Sequence, residues 1–240
     1  MTTADLPFAP AAGRPAALSG PVPAVAALAG PAPAGAALTG PVPAGAALAG
    51  PLHPDAAALL ERPAFRADFE RLGAVTLDPA RHTSPDARTH SLAVARRARE
   101  LAGAAGLAAD EAGRLERLAL VHDIGKVDGT GAPSASVERL PLYGEFDEAF
   151  VELVRYHDIN LPWYKSRARG EAPSDRAWAK LARRVDARLL ALFMVADRVD
   201  CPGGWCANAP LVWFLGEARA RGLVGDDLLS TFDDTKEALL

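Results

Sequence analysis

Residues 84–104 read SPDARTHSLAVARRARELAGA. Within them His90, Val94, Ala98 and Leu101 recur at i, i+4, i+8 and i+11, one face of an α-helix. Ser84 and Pro85 supply a helix start, so the spacing predicts a helix from about Ser84 to Ala104 with a histidine on its core-facing stripe. A lone imidazole on such a stripe is more often a hydrogen-bonded core residue than a ligand. Its meaning therefore depends on what the rest of the chain brings to it.

On the C-terminal side the same periodicity continues. A helix from about Asp110 to Asp123 puts Leu115, Leu118, Ala119 and His122 on one face, and a third runs from Phe146 to about Asp158, ending Tyr156-His157-Asp158. A Gly, Pro and Ser-rich loop is expected from Asp128 to Ser136. The stretch INLPWYKSRARGEAPSD reads as a long connection marked by Pro162 and Pro173, with Trp163, Tyr164, Lys165, Arg167 and Arg169 offering stacking faces and cations, or serving as a plain basic surface loop. One long helix is expected from Arg176 to Asp200, burying Leu181, Val185, Leu189, Leu192, Phe193 and Ala196, with Asp197 on the edge of that face. Leu211 to Arg221 and a final acidic segment cover the core. On the N-terminal side, residues 55–72 predict one or two short helices. Strand signals are nearly absent, and the expected class is all-α.

Residues 1–54 differ in kind. They hold 11 of the 20 prolines and 7 of the 21 glycines, but only Asp5 and Arg14 among the charged residues. From Ala16 a ten-residue unit repeats, AALSGPVPAV, AALAGPAPAG, AALTGPVPAG and AALAGPLHPD, the first three each with one Leu as its sizeable side chain and Pro-X-Pro to remove backbone donors. Burial cannot offset ordering entropy in such a segment, so a disordered Ala/Pro/Gly-rich tail of residues 1–54 is expected before a folded domain of residues 55–240. His53 reads as a solvated linker residue.

The net charge of −4 lies wholly in the domain, because Asp5 and Arg14 cancel. That is too mild for a general nucleic-acid binder or a protein that clings to anionic lipid. Two cysteines exclude a disulfide framework, and no apolar run escapes its prolines for long enough to span a bilayer, so a cytoplasmic location is expected. Cys201 and Cys206, in CPGGWC, fit buried free thiols beside a turn better than a zinc or redox motif.

Three inward-pointing sites on three expected helices, His90, His122-Asp123 and Asp197, carry the chemistry. Burying two carboxylates and two imidazoles without a compensating charge costs several kcal/mol, about 3–5 for an uncompensated buried charge. A divalent cation removes that cost, and the mixed N/O set suits Mn²⁺, Fe, Co, Ni or Zn²⁺, with Mg²⁺ also admitted.

The strings THSLAVARRARELA around His90, LALVHDIGK from Leu118 to Lys126, and FMVADRVD around Asp197 resemble the H…HD…D signature of the HD-domain superfamily of metal-dependent phosphohydrolases, in its HDIGK variant. The resemblance covers about residues 84–200 and implies an HD-type helical bundle. It implies His90, His122, Asp123 and Asp197 as metal ligands, Asp123 and Lys126 as catalytic groups, and a water activated by the metal as nucleophile. Lys126, with Lys165 and Arg198, is a candidate for holding the substrate phosphate. The Glu-Asp pair that follows the dyad in stringent-response nucleotide hydrolases is replaced here by IGKVDG, and the added histidines of deoxynucleoside triphosphohydrolases and of dinuclear relatives are missing. One ion is expected. His157 is either a site residue, as a second-ion ligand or proton donor, or a capping histidine. His82 has a weaker claim, and Asp200, three residues beyond Asp197, competes with it for the ligand role.

The expected activity is hydrolysis of a phosphate mono- or diester of a small nucleotide-like substrate. The alternatives are an HD-like module that binds a metal or nucleotide without turnover, and a two-metal oxidase or phosphodiesterase.

Overall fold

The structure, a computed structural model, describes residues 51–237, with side chains as far as Phe232. All of these belong to the compact unit Ala44–Leu240. The repeat and the tail expected over residues 1–54 lie outside the described residues up to residue 50.

Among the described residues the secondary structure is helical, without a strand: α1 (Pro54–Glu61), α2 (Pro63–Arg71), α3 (Ala87–Ala104), α4 (Ala109–Val121), α5 (Pro133–Tyr143), α6 (Glu148–Tyr156), α7 (Asn160–Ala168), α8 (Asp175–Arg184), α9 (Ala187–Ala196), α10 (Ala209–Ala220) and α11 (Asp226–Glu237). The centre is α9, whose residues from Leu189 to Ala196 are all buried. A helix apolar all round has no face to give to water, so it must be surrounded. Both α3 and α4 pack on it and on each other. The stripe Val94, Ala98 and Leu101 of α3 is fully buried, Val94 and Leu101 each contributing roughly 1.5–3 kcal/mol. No described helix is long and apolar enough to cross a membrane.

Several boundaries depart from expectation, each for a local reason. The helix expected from Ser84 starts at Ala87, because the Asp86 carboxylate accepts from the Thr89 N–H at 2.8 Å and Pro85 turns its carbonyl to Leu77 instead. The expected loop 128–136 gives way to α5 at Pro133, a residue suited to a first turn. The stretch read as a long connection holds α7. Pro162 is tolerated there because it sits in the first turn, where backbone N–H groups have no intrahelical acceptor. The single helix expected from Arg176 to Asp200 is two. Val185 is extended, and the Asp186 carboxylate accepts from Arg188 and Leu189 N–H to start α9 afresh.

His53 is no solvated linker residue. Its side chain caps α1 and its N–H donates to Glu116, while its ring lies so close over Gly113 that a Cβ there would stand 2.4 Å from Nδ1. The rings of Trp163 and Tyr164 are turned to protein rather than ligand: Trp163 packs on Trp178 at 4.7 Å and Tyr164 on Trp213 at 5.8 Å. Cys201 is half-buried and Cys206 exposed, both free, so the expectation of buried thiols is corrected. Trp205, between them, packs on Phe232.

Candidate metal centre

Three helix ends and one helix face build the site. His90 comes from the first turns of α3; His122 and His157 are the C-cap residues of α4 and α6, and Asp197 that of α9. Thus three helices direct their C-termini to one place. Their unpaired carbonyls carry the negative ends of the helix dipoles, which favour a cation.

Asp123 follows His122 and opens a 3-10 turn, Ile124–Asp128, that carries Lys126 back beside it. Gly125 is required here. A Cβ would stand 2.6 Å from the Ser136 backbone nitrogen, and the Gly125 N–H donates to the Ser136 hydroxyl at 3.0 Å, closing the turn on α5.

The side chains converge. His90 Nε2 is 3.1 Å from Asp197 Oδ1, and His122 Nε2 is 3.3 Å from the same oxygen and 3.2 Å from Asp123 Oδ2. Donor atoms of His90, His122 and Asp197 all lie within 4.8 Å of one another, and all three residues are buried. His122 Nδ1 donates to the Ala119 carbonyl at 2.9 Å, which leaves Nε2 as the lone-pair nitrogen, and that buried atom has no hydrogen-bond partner. His157 is tied the same way to the Val154 carbonyl at 2.7 Å, and its ring meets His122 edge-on at 5.3 Å.

Charge tells the same story. Asp123, Asp158, Asp197 and Asp200 face two fixed cations, Lys126, 2.6 Å from Asp123, and Arg198, bonded to Asp197 and Asp158. Four carboxylates against these two bonded cations leave a surplus of negative charge in the cluster, reduced but not removed by Arg81 in the cavity wall, which a divalent ion would offset. Without an ion the imidazoles are drawn to protons in its place. Burial opposes charge on His122, yet Asp123 and Asp197 outweigh it and push the imidazole up to about 10. His90 is also raised, Asp197 and Asp200 overcoming its burial. Asp197 is held well below the usual carboxylate range by Arg198, His122 and His90 in spite of burial, and Asp123 is held down by His122 and Lys126. His157 moves the other way, lowered by burial and by its neighbour His122. An orphaned lone pair, a donor set of imidazoles and carboxylates, and a surplus of negative charge all fit a divalent cation.

The cluster opens on a cavity of about 250 Å³ lined also by Arg81, His82, Lys126, His157, Asp158, Leu161 and Arg198. The structure brings His90, His122, Asp123, Asp197, Lys126, His157 and Arg198 to one cavity. Lys165 is not among the lining residues; it lies exposed on α7, while Leu161 at the start of that helix reaches the wall. Arg81 and Asp158 line the cavity without having been singled out in the sequence. Arg81 stands in a Pro-rich stretch with no helical period to orient it, and Asp158 reads as an ordinary residue after a helix end. Asp200, set aside in favour of Asp197, holds His90 from behind through Nδ1 at 2.9 Å.

Residues 88–201, from the start of α3 to the turn after Asp200, match the family described as HD domain. Comparison with curated proteins and with solved structures gave no match. With its H…HD…D residues gathered in one buried cluster inside the matched segment, residues 88–201 are an HD domain, consistent with the HD-domain superfamily of metal-dependent phosphohydrolases.

Proposed function

We propose that the protein hydrolyses a phosphate ester of a small, nucleotide-like substrate with one divalent ion held by His90, His122, Asp123 and Asp197. The observation that carries this reading is the orphaned Nε2 of His122, buried among carboxylate oxygens at the floor of a cavity whose wall holds Lys126. A divalent cation at such a site supplies Lewis acidity toward phosphoryl oxygen and lowers the pKa of water to near neutrality.

The remaining roles belong to the chain's own side chains. Lys126, anchored on Asp123, presents a positive charge for the phosphoryl oxygens as negative charge builds on them. Arg198, bonded to Asp197 and Asp158, fixes the orientation of one ligand and gives the wall a second cation near the substrate. His157, neutral and with its Nδ1–H donated to the Val154 carbonyl, keeps a lone pair on Nε2, so it would accept a proton or a hydrogen bond in the site rather than give a proton up. Lys165 stays a candidate only for contact with a substrate that extends beyond the cavity. We place this activity in the cytoplasm, in keeping with two free cysteines.

Purified protein is analysed for bound metal and assayed on nucleoside monophosphates and cyclic nucleotides with Mn²⁺, Co²⁺ or Ni²⁺. Turnover lost in His122→Ala is expected, together with a fall of about 10²–10³-fold in kcat for Lys126→Met without loss of the ion. Absence of turnover on the whole panel overturns the hydrolase reading, and tight stoichiometric metal binding without product would favour a regulatory binding module.

A further inference from the structure

We propose that Asp200 is a positioning residue that fixes two parts of the site at once, the ring of His90 and the loop that brings Arg81 and His82 to the cavity. The proposal rests on the reading of His90 as an ion ligand. Asp200 lies one turn beyond Asp197, and its side chain is 5% exposed. Its two carboxylate oxygens are divided between two imidazoles. Oδ2 is 2.9 Å from His90 Nδ1 and Oδ1 is 3.2 Å from His82 Nδ1.

An ionised carboxylate only accepts hydrogen bonds, so each of these ring nitrogens carries the proton. For His90 that leaves Nε2, the nitrogen facing Asp197 Oδ1, as the lone-pair atom. A carboxylate behind a metal-bound histidine fixes the ring's tautomer and orientation and raises its basicity. His122 and His157 obtain the same constraint from backbone carbonyls one turn back in their own helices. His90 sits at the start of α3, where no such carbonyl serves it, and Asp200 takes that part.

The second arm runs to residues 82–84. The Asp200 carbonyl accepts from the Thr83 N–H at 2.8 Å, and after His82 and His90 the neighbouring Ser84 also helps to hold the Asp200 carboxyl below its ordinary range. Between Leu77 and Ser84 no side chain is fully buried, so apolar packing does not hold this loop. Besides the edge-on contact of the His82 ring with His90 at 5.1 Å, its tie to the domain is the bonds from His82 and Thr83 to Asp200. Arg81 and His82, both lining the cavity, therefore stand where Asp200 puts them.

The full chain and its Asp200→Asn and His82→Ala variants are titrated with Mn²⁺ by calorimetry, and the Mn²⁺-loaded proteins with inorganic phosphate. Asp200→Asn is expected to weaken Mn²⁺ about 10–100-fold at unchanged stoichiometry and also to weaken phosphate binding. His82→Ala, which keeps the arm to His90, is expected to hold Mn²⁺ within about twofold of the wild type and lose phosphate affinity alone, a split that general destabilisation does not give. Should Asp200→Asn not fold, the Zn²⁺-loaded wild type is examined by NMR, where a protected, far-downfield Nδ1 proton on His90 is expected. Its absence overturns the proposal. Wild-type Mn²⁺ affinity in Asp200→Asn also overturns it, as does a wild type with two ions of which Asp200→Asn loses one, since Asp200 would then be a ligand to a second ion. A wild type that takes up neither Mn²⁺ nor Zn²⁺ overturns the functional reading instead.

Discussion

Two buried polar clusters in this domain are built from the same kinds of residue and end differently. Around Asp68 of α2, one carboxylate oxygen accepts from Arg71 at 2.8 Å, and the other from Arg139 and from the Tyr143 hydroxyl at 2.7 Å, while Arg139 also grips Asp128 with two more N–H groups. Two acids meet two guanidinium groups and no buried polar atom there is left without a partner. Around Asp197, four acids meet two bonded cations and a buried imidazole nitrogen is left without a partner. The first cluster is complete in the polypeptide alone and ties α2 to α5. The second is complete only with a positive ion. Counting charges and hydrogen bonds thus separates a structural network from a functional one where burial does not.

Substitutions on the two sides should fail in opposite ways. Asp197→Asn is expected to lower activity by at least about 10³-fold and to abolish stoichiometric ion uptake, while the ion-free protein gives up part of the stability of the contacts with Arg198, His90 and His122 and still melts as a folded domain. Elemental analysis and a thermal melt with chelator check this, and a collapse of the ion-free protein would mean the cluster is structural after all. Asp68→Ala should do the reverse. Leaving Arg139 half-paired costs about 3 kcal/mol, a fall of about 6–12 °C in Tm for a domain of this size, with kcat unchanged within about twofold below the transition. Loss of kcat without loss of Tm would erase the distinction.

The smallest effect concerns a partly exposed version of the closed kind. Glu152 is paired with Arg155 and Arg184, each at 2.9 Å, and these outweigh its burial to hold the carboxyl below its ordinary value. Its folded pKa is depressed, so the stability it contributes is present above the unfolded value of about 4.3 and is lost as pH falls through the folded one. Urea melts of Glu152→Gln should therefore differ from wild type by less than about 1 kcal/mol near neutrality and converge with it in acid. A gap that widens as pH falls would reverse the sign.

How much of this was legible beforehand varies with the range of the interaction. Periodicity located α3, α4 and α6 within a few residues, since an apolar stripe at helical spacing has to be buried whatever lies opposite. Boundaries slipped where one side chain decided them, as with the caps supplied by Asp86 and Asp186. Prolines misled at Pro133 and Pro162, which read as breakers but occupy first turns. In the site, His90, His122, Asp123 and Asp197 drew notice as polar groups on or beside apolar faces. Lys165 was picked for its type within a basic stretch, and type alone does not say that α7 exposes it while directing Leu161 to the cavity.

The sequence by itself determined the helical class, the HD strings and which imidazoles and carboxylates had to be taken out of water, because these follow from residue type and a period of 3.6. Only the tertiary structure decided that three helix C-termini meet, that His122 Nε2 is left unpartnered, and that Asp200 stands behind His90 rather than beside the ligands. Those are relations between residues up to 110 positions apart, fixed by how α3, α4 and α9 pack, and a one-dimensional pattern holds no record of the angle at which two helices cross.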